Sequence, residues 1–219
     1  MENYVSINPD RLWARLNEVG HIGSDPRGGI SRFAWEPPYK EAVMLLIRWI
    51  KEAGLTARID TVGNVFARLE SDDPHAPAVL SGSHFDTVPQ GGCFDGLAGV
   101  MGALEALVAI KESGLPHKSL WKWWPLSMKK PANFGRNIRK QGDMRDASDD
   151  YAFHLRNRQT GQLLSDAMRE FGMGLDPERL TESKIDPTPI VVFGNAYRAG
   201  AVSVGRRQTL LHCQLCCRH

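Results

Sequence analysis

The 219-residue sequence is poor in cysteine and has no apolar run long enough to span a bilayer. Three of its four cysteines stand together at Cys213, Cys216 and Cys217, which argues against a disulfide framework. The start "MENYVSINPDRLW" lacks a basic stretch followed by an apolar one, so a signal peptide is not expected and a cytoplasmic location is. Acidic residues are scarce in two places. Residues 117–147 carry 8 basic and 2 acidic side chains, and residues 192–219 carry 4 basic and none acidic. The rest leans the other way, with 10 basic and 15 acidic over 1–116, and 5 and 8 over 148–191. The formal charge of +2 therefore belongs to a mildly acidic protein interrupted by two basic segments. Such asymmetry often marks nucleic-acid or membrane contact, a reading that competes with everything below.

What is present is ordinary globular material, 42% apolar and 24% charged, in a chain long enough to bury a core without staples. "PDRLWARLNEVG" sets Leu12, Leu16 and Val19 at helical spacing, with Asp10 as the expected N-cap. "YKEAVMLLIRWIKEAGL" predicts a second amphipathic helix, ended by Gly54. "TARIDTV" and "NVFARLE" predict strands joined at Gly63-Asn64, and "AVLSGSHFD" a buried strand with a polar end. "GLAGVMGALEALVAIKESG" predicts a small-residue helix packed closely on a sheet. The order of these elements predicts an α/β layered fold. The next strand is due after Pro116, where "SLWKWWPLSMKKPANFGRNIRKQGDMRDASDD" has no clear period. Order returns with "TGQLLSDAMREFG", a helix with Thr160 near its N-cap, and the short helix "LDPERLTESKIDP"; it fails again from Val192.

The chemistry concentrates in "SGSHFDTVPQGGCFDGLAGV". His84 and Asp86, two apart at a strand end, project the same way. Asp95 follows on a glycine-rich turn just before a helix. An imidazole can ligate a divalent metal while a nearby carboxylate orients its ring. A carboxylate at a loop-to-helix junction can bridge a pair of metals that activate water for hydrolysis. Gly91, Gly92 and Gly96 would let the backbone approach such a site closely.

The stretch from Ser81 to Gly96 closely resembles the pattern "SGSHxDTVxxGGxxDG" of the hydantoinase/carbamoylase family of metal-dependent amidohydrolases. "GGISR" at 28–32, "AGL" at 53–55, "DTVGNVFARLE" at 60–70 and "FGMGLDPERL" at 171–180 are similar to other family pieces. The resemblance covers residues 1–116 and about 151–190. It implies a zinc-aminopeptidase-like layered domain, with a mixed sheet flanked by helices and incomplete at the C-terminus. It implies two divalent ions (zinc, manganese, cobalt or nickel), and hydrolysis of the linear amide or ureido C–N bond of N-carbamoyl-L-amino acids, allantoate or related compounds. From an N-carbamoyl compound the products would be an amino acid, ammonia and carbon dioxide. The implied partner is a small ureido or carbamoyl substrate, with neither nucleic acid nor membrane; intact members are homodimers.

Carried over by position, the resemblance makes His84 a ligand of one metal, Asp95 the carboxylate bridging both, and Asp86 the residue fixing the His84 ring. The family also needs a Glu-Glu pair (general base and ligand), a His in "ELHIEQG" and a last His downstream. "MKK" stands where the Glu-Glu is due, and "NAYRAGAV" where "HIEQG" is due. The genetic code offers a reason. Codons for "WKWWPLSMKKP", read from the third base of the Trp121 codon, are compatible with "EVVAVIDEEA", a strand ending in Glu-Glu. Dropping the first base at Phe193 admits "LEMHIEQG". The expected organisation is a partial catalytic metal-hydrolase domain over 1–200 with 117–147 out of pattern, an irregular tail over 201–219, and no lid or dimerisation domain.

Two other readings compete. Trp121, Trp123 and Trp124 beside lysines suit a single-strand or anionic-surface binder, but Pro125 and the absent period give no platform and the remainder is acidic. Cys213-x-x-Cys216 in "HCQLCCRH" has zinc-ligand spacing, but one such pair at an out-of-pattern terminus makes a weak site. An inactive fragment is the remaining alternative.

Overall fold

The computed structural model describes residues 5–71, 73, 78–115, 120–123, 132–134, 154–183 and 190–192. The first helix, α1, spans Pro9–Gly20. Its cap is Asn8, whose side chain accepts from Arg11 N at 3.0 Å. Asp10 was the expected cap; it lies in the first turn instead. Proline is favoured at the first helical position, and Pro9 places the boundary one residue before itself. Leu12 and Val19 are buried and Leu16 packs against the core from the rim.

Helix α2 spans Pro37–Glu52 and buries Tyr39, Ala42, Val43, Leu46, Trp49 and Ile50, a stripe with helical spacing. Full burial of Leu46 and Ile50 contributes roughly 1.5–3 kcal/mol each. The helix ends as expected. Gly54 has φ +65°, its N–H donates to Lys51 O and that of Leu55 to Ile50 O, the Schellman arrangement. Lys111 reaches across from a third helix and donates to the Ala53 and Gly54 carbonyls, satisfying two more acceptors.

The hairpin follows as β1 (Thr56–Ile59) and β2 (Val65–Leu69), antiparallel with Thr56 opposite Arg68 and Ile59 opposite Val65. Buried Asp60 organises the turn by accepting from Val62 N (3.1 Å), Asn64 N (2.8 Å) and Asn64 Nδ2 (2.7 Å). Strand β3 is Ala78–Ser81, and α3 runs over Leu97–Ser113, closed by Gly114 at φ +62°. The strand expected after Pro116 is β4, Leu120–Trp123, at the centre of the sheet. It runs antiparallel to β2 and parallel to β3, and β5 (Ile190–Val192) flanks β3 in parallel. The order β1-β2-β4-β3-β5 makes a mixed sheet, so the α/β layered class holds. Helix α1 lies on α3, and α2 lies on the hairpin.

Helix α4 is Leu164–Phe171, shorter than expected, with Leu163 as an N-cap that makes no side-chain cap bond. Thr160 was placed near the cap; it belongs to a preceding turn in which Asn157 Oδ1 accepts from Gln159 N and Thr160 N. A local turn closed by Asn157 outcompetes extension of the helix. A 3₁₀ segment at Pro177–Ser183 takes the place of the second short helix. It docks on the hairpin turn, with Asp176 N donating to Thr61 O and Thr61 Oγ1 to Arg179 O. Lys129, Lys130, Trp124, "NAYRAGAV" and the cysteine-rich terminus lie outside the described residues.

Candidate metal centre

The chain leaves β3 at Ser81 and crosses residues 82–96 before α3 begins, and all three expected site residues lie on this loop. His84 and Asp86 are buried. The imidazole Nδ1 lies 3.0 Å from the backbone carbonyl of Asp86 and 3.6 Å from its Oδ1. The backbone oxygen is thus the primary partner that orients the ring, and the carboxylate comes second. A proton on Nδ1 facing that carbonyl makes Nε2 the lone-pair nitrogen. Nε2 faces Asp95 Oδ1 at 3.6 Å. The Asp95 side chain is 64% exposed, while that of His84 is 9% exposed, so the pair opens to solvent on the carboxylate side.

Glycine at 96 is required. It begins α3 at φ +71°, and a Cβ there would run into the carbonyl and ring of His84. Only a residue without Cβ lets the helix start this close to the imidazole.

A second segment straps the loop. Ile30 and Gly91 exchange backbone hydrogen bonds at 2.9 and 2.8 Å. Gly29, at φ +74°, passes so near Gln90 and Gly91 that a Cβ would meet their backbone. Thr87 N donates to Arg32 O at 2.9 Å, Arg32 N donates to Thr87 Oγ1 at 2.8 Å, and that hydroxyl donates to Ile30 O at 3.0 Å. The Arg32 guanidinium is buried and donates to Phe85 O, Val19 O and Ile22 O. Burial pushes it down to about 10, with the Tyr39 and Asp86 charges acting against the shift. The pattern of "GGISR" at 28–32 alone assigns no role to any of its residues. The signal available was an arginine ending a glycine-rich loop.

The pair suits a shared cation. Two ligands with bonds of about 2.1 Å to one tetrahedral ion stand roughly 3.4 Å apart, close to the 3.6 Å between His84 Nε2 and Asp95 Oδ1. Among the described residues no group of three His, Cys, Asp or Glu side chains converges on this pair or elsewhere. Also among the described residues, no helix is long and apolar enough to cross a membrane.

No protein-family model matches the chain. Individual proteins do. It is 32% identical over 187 residues to an N-carbamoyl-L-amino acid amidohydrolase of Geobacillus stearothermophilus, covering 85% of this chain and 45% of the relative. It is 31% identical over 131 residues to a ureidoglycolate hydrolase of Arabidopsis thaliana, covering 60% of this chain and 28% of the relative. The fold matches the crystal structure of a hydantoinase/carbamoylase family amidase from Burkholderia ambifaria at TM-score 0.71 and 30% identity, over 80% of this chain and 43% of that one. The chain belongs to the hydantoinase/carbamoylase family. It spans less than half the length of the relatives named here. In this family member the sheet, the strap and the loop of residues 82–96 come from the first 115 residues, with β4 and β5 completing the sheet.

Proposed function

We propose that His84 and Asp95 belong to a divalent-metal centre that hydrolyses the linear C–N bond of N-carbamoyl-L-amino acids or related ureido compounds. The observation that carries this is the facing of His84 Nε2 and Asp95 Oδ1 at 3.6 Å, with Nδ1 tied to Asp86. It is supported by the names of the relatives, which act on N-carbamoyl amino acids and ureidoglycolate. When bound, a pair of divalent ions (zinc, manganese, cobalt or nickel) supplies Lewis acidity toward a carbonyl oxygen and toward water.

The chain's own residues do the rest. His84 offers Nε2 as a ligand because Asp86 engages the other ring nitrogen. Asp95, more exposed, would offer its carboxylate as a ligand beside Nε2. The Asp86 carboxylate, buried beside the ring, adds negative charge that strengthens the imidazole as a ligand. Moving a proton to the leaving amine takes a further carboxylate. That group is expected at 129–130, where Lys129 and Lys130 stand, so weak turnover is expected of this chain alone.

The test is hydrolysis of N-carbamoyl amino acids and of ureidoglycolate by the purified chain with added manganese, cobalt, nickel or zinc. His84→Ala and Asp95→Ala should abolish whatever metal-dependent turnover exists. Robust turnover that survives both substitutions would refute the assignment. Resequencing the gene across codons 117–150 and 190–196 tests the frame reading separately; an uninterrupted frame there would refute it.

A further inference from the structure

The loop of the candidate metal centre alternates. His84 and Asp86 carry the chemistry, while Phe85 and Thr87 between and after them point elsewhere, as successive residues of an extended segment do. Arg32 holds both of the latter. Its Nε donates to Phe85 O at 3.1 Å, and its guanidinium lies over the Phe85 ring at 5.1 Å. Its own backbone exchanges bonds with Thr87 N and Oγ1. The far end of the guanidinium donates to Val19 O at 2.9 Å and Ile22 O at 3.2 Å, so the grip is anchored on the end of α1. Phe85 is buried and also packs edge-on against Tyr39 of α2.

We propose that Arg32 is a positioning residue of the metal centre: it fixes Phe85 and Thr87 against α1 and thereby holds His84 at ligand distance from Asp95. The proposal rests on the metal-centre reading above. A planar fork that reaches carbonyls on two segments is not replaced by the compact ammonium of lysine. A buried cation held by carbonyls rather than carboxylates also carries a desolvation cost. Removing it strands three acceptors, so the thermal midpoint should fall in either case, and loop exchange and Co²⁺ affinity are what separate positioning from fold stability.

The test uses the 219-residue chain with Arg32→Met and Arg32→Lys. Three quantities are followed: amide hydrogen exchange over residues 84–91 and over α2, Co²⁺ affinity, and the thermal midpoint. Arg32→Met is expected to speed exchange at Thr87 and Gly91 on the order of tenfold, with α2 unchanged. It should weaken Co²⁺ binding on the order of tenfold, as loss of an outer partner of a metal ligand does. Arg32→Lys should fall between. Should Arg32→Met not fold, Thr87→Val makes the same test by removing the hydroxyl that bonds Arg32 N and Ile30 O. Binding of Co²⁺ and exchange over 84–91 that both stay unchanged in a folded variant would overturn the proposal alone. An unmodified chain that takes no Co²⁺ would overturn the metal-centre reading, and this proposal with it.

Discussion

Arg11 and Arg32 are both drawn into the protein, and they are held in opposite ways. Arg11 sits between α1 and α3 with Nε and Nη2 on the two oxygens of buried Glu105 at 2.8 and 2.7 Å, and further bonds to Glu112. Arg32 touches carbonyls of the site loop and of α1. The hydrogen bonds Arg11 donates to Glu105 and Glu112 hold it above the ordinary arginine range, whereas burial brings Arg32 down to about 10. At Arg11 the pairing outweighs the loss of water. At Arg32, whose hydrogen-bond acceptors are carbonyls, burial wins. The first arrangement clamps two helices. The second pins the backbone of the loop that carries His84 and Asp86 at fixed points.

The comparison breaks most severely at Glu105. Its side chain is 1% exposed, and it also faces Arg15 at 3.8 Å. Glu105→Ala takes the facing carboxylate from Arg15, leaves Arg11 with Glu112 alone and leaves Asn8 N without its acceptor at 2.9 Å. Removing one partner of a buried ion pair costs about 3–5 kcal/mol. Arg11 remains 24% exposed, so the lower end is expected. Urea unfolding measures it. A loss as small as that of an ordinary surface pair would mean that the clamp contributes little.

Gly96→Ala separates backbone fit from charge in the site loop. A residue forced to φ +71° with its Cβ against His84 costs about 1–3 kcal/mol. The larger consequence is local: the imidazole must move, so Co²⁺ binding should fall while the clamp between α1 and α3 stays intact. Thermal unfolding and a Co²⁺ titration check both. A variant that keeps wild-type affinity would show that the ring position tolerates more freedom than the geometry suggests.

The two regions also differ in how far they could be read from sequence. The elements that build the clamp have periodicity, and α2, with its stop at Gly54, follows from spacing alone. The hairpin follows from its turn residues. A strand after Pro116 is expected although its residues have no legible pattern; it is found at Leu120–Trp123, and its place between β2 and β3 comes from the structure. The caps at Asn8 and Leu163 differ from the expected positions by two and three residues, because Pro9 sets the first boundary and the turn closed by Asn157 the second. At the site, residue types and the glycine before α3 were legible in the string from Ser81 to Gly96. Two things were not. The first is that Asp86 orients the ring chiefly through its carbonyl, which any residue possesses. The second is Arg32, 52 positions upstream of His84, because carbonyl partners leave no mark in the side-chain pattern.

Glu36 extends the comparison to an anion. It is half-buried at the start of α2, and its partners are neutral: Asn133 Nδ2 donates to Oε1 at 2.8 Å, and Asn157 also bonds it. Burial raises its carboxyl above the ordinary value of 4.5, with the two amides acting against the shift. It is thus the acidic counterpart of Arg32. A carboxyl whose folded pKa lies above its unfolded one adds stability below 4.5 and loses it as the pH rises through the folded value. Glu36→Gln should therefore match the parent near pH 4 and exceed it near pH 8, with the gap opening across the folded titration. The amide it introduces could also donate to Asn133 Oδ1, which is buried without a hydrogen-bond partner among the described residues. The effect should be the smallest of the three, because water still reaches the group and screens its charge. Urea midpoints at the two pH values measure it. A variant weaker than the parent by the same amount at both would mean that hydrogen-bond geometry, rather than the buried charge, governs this position, and the parallel with Arg32 would fail.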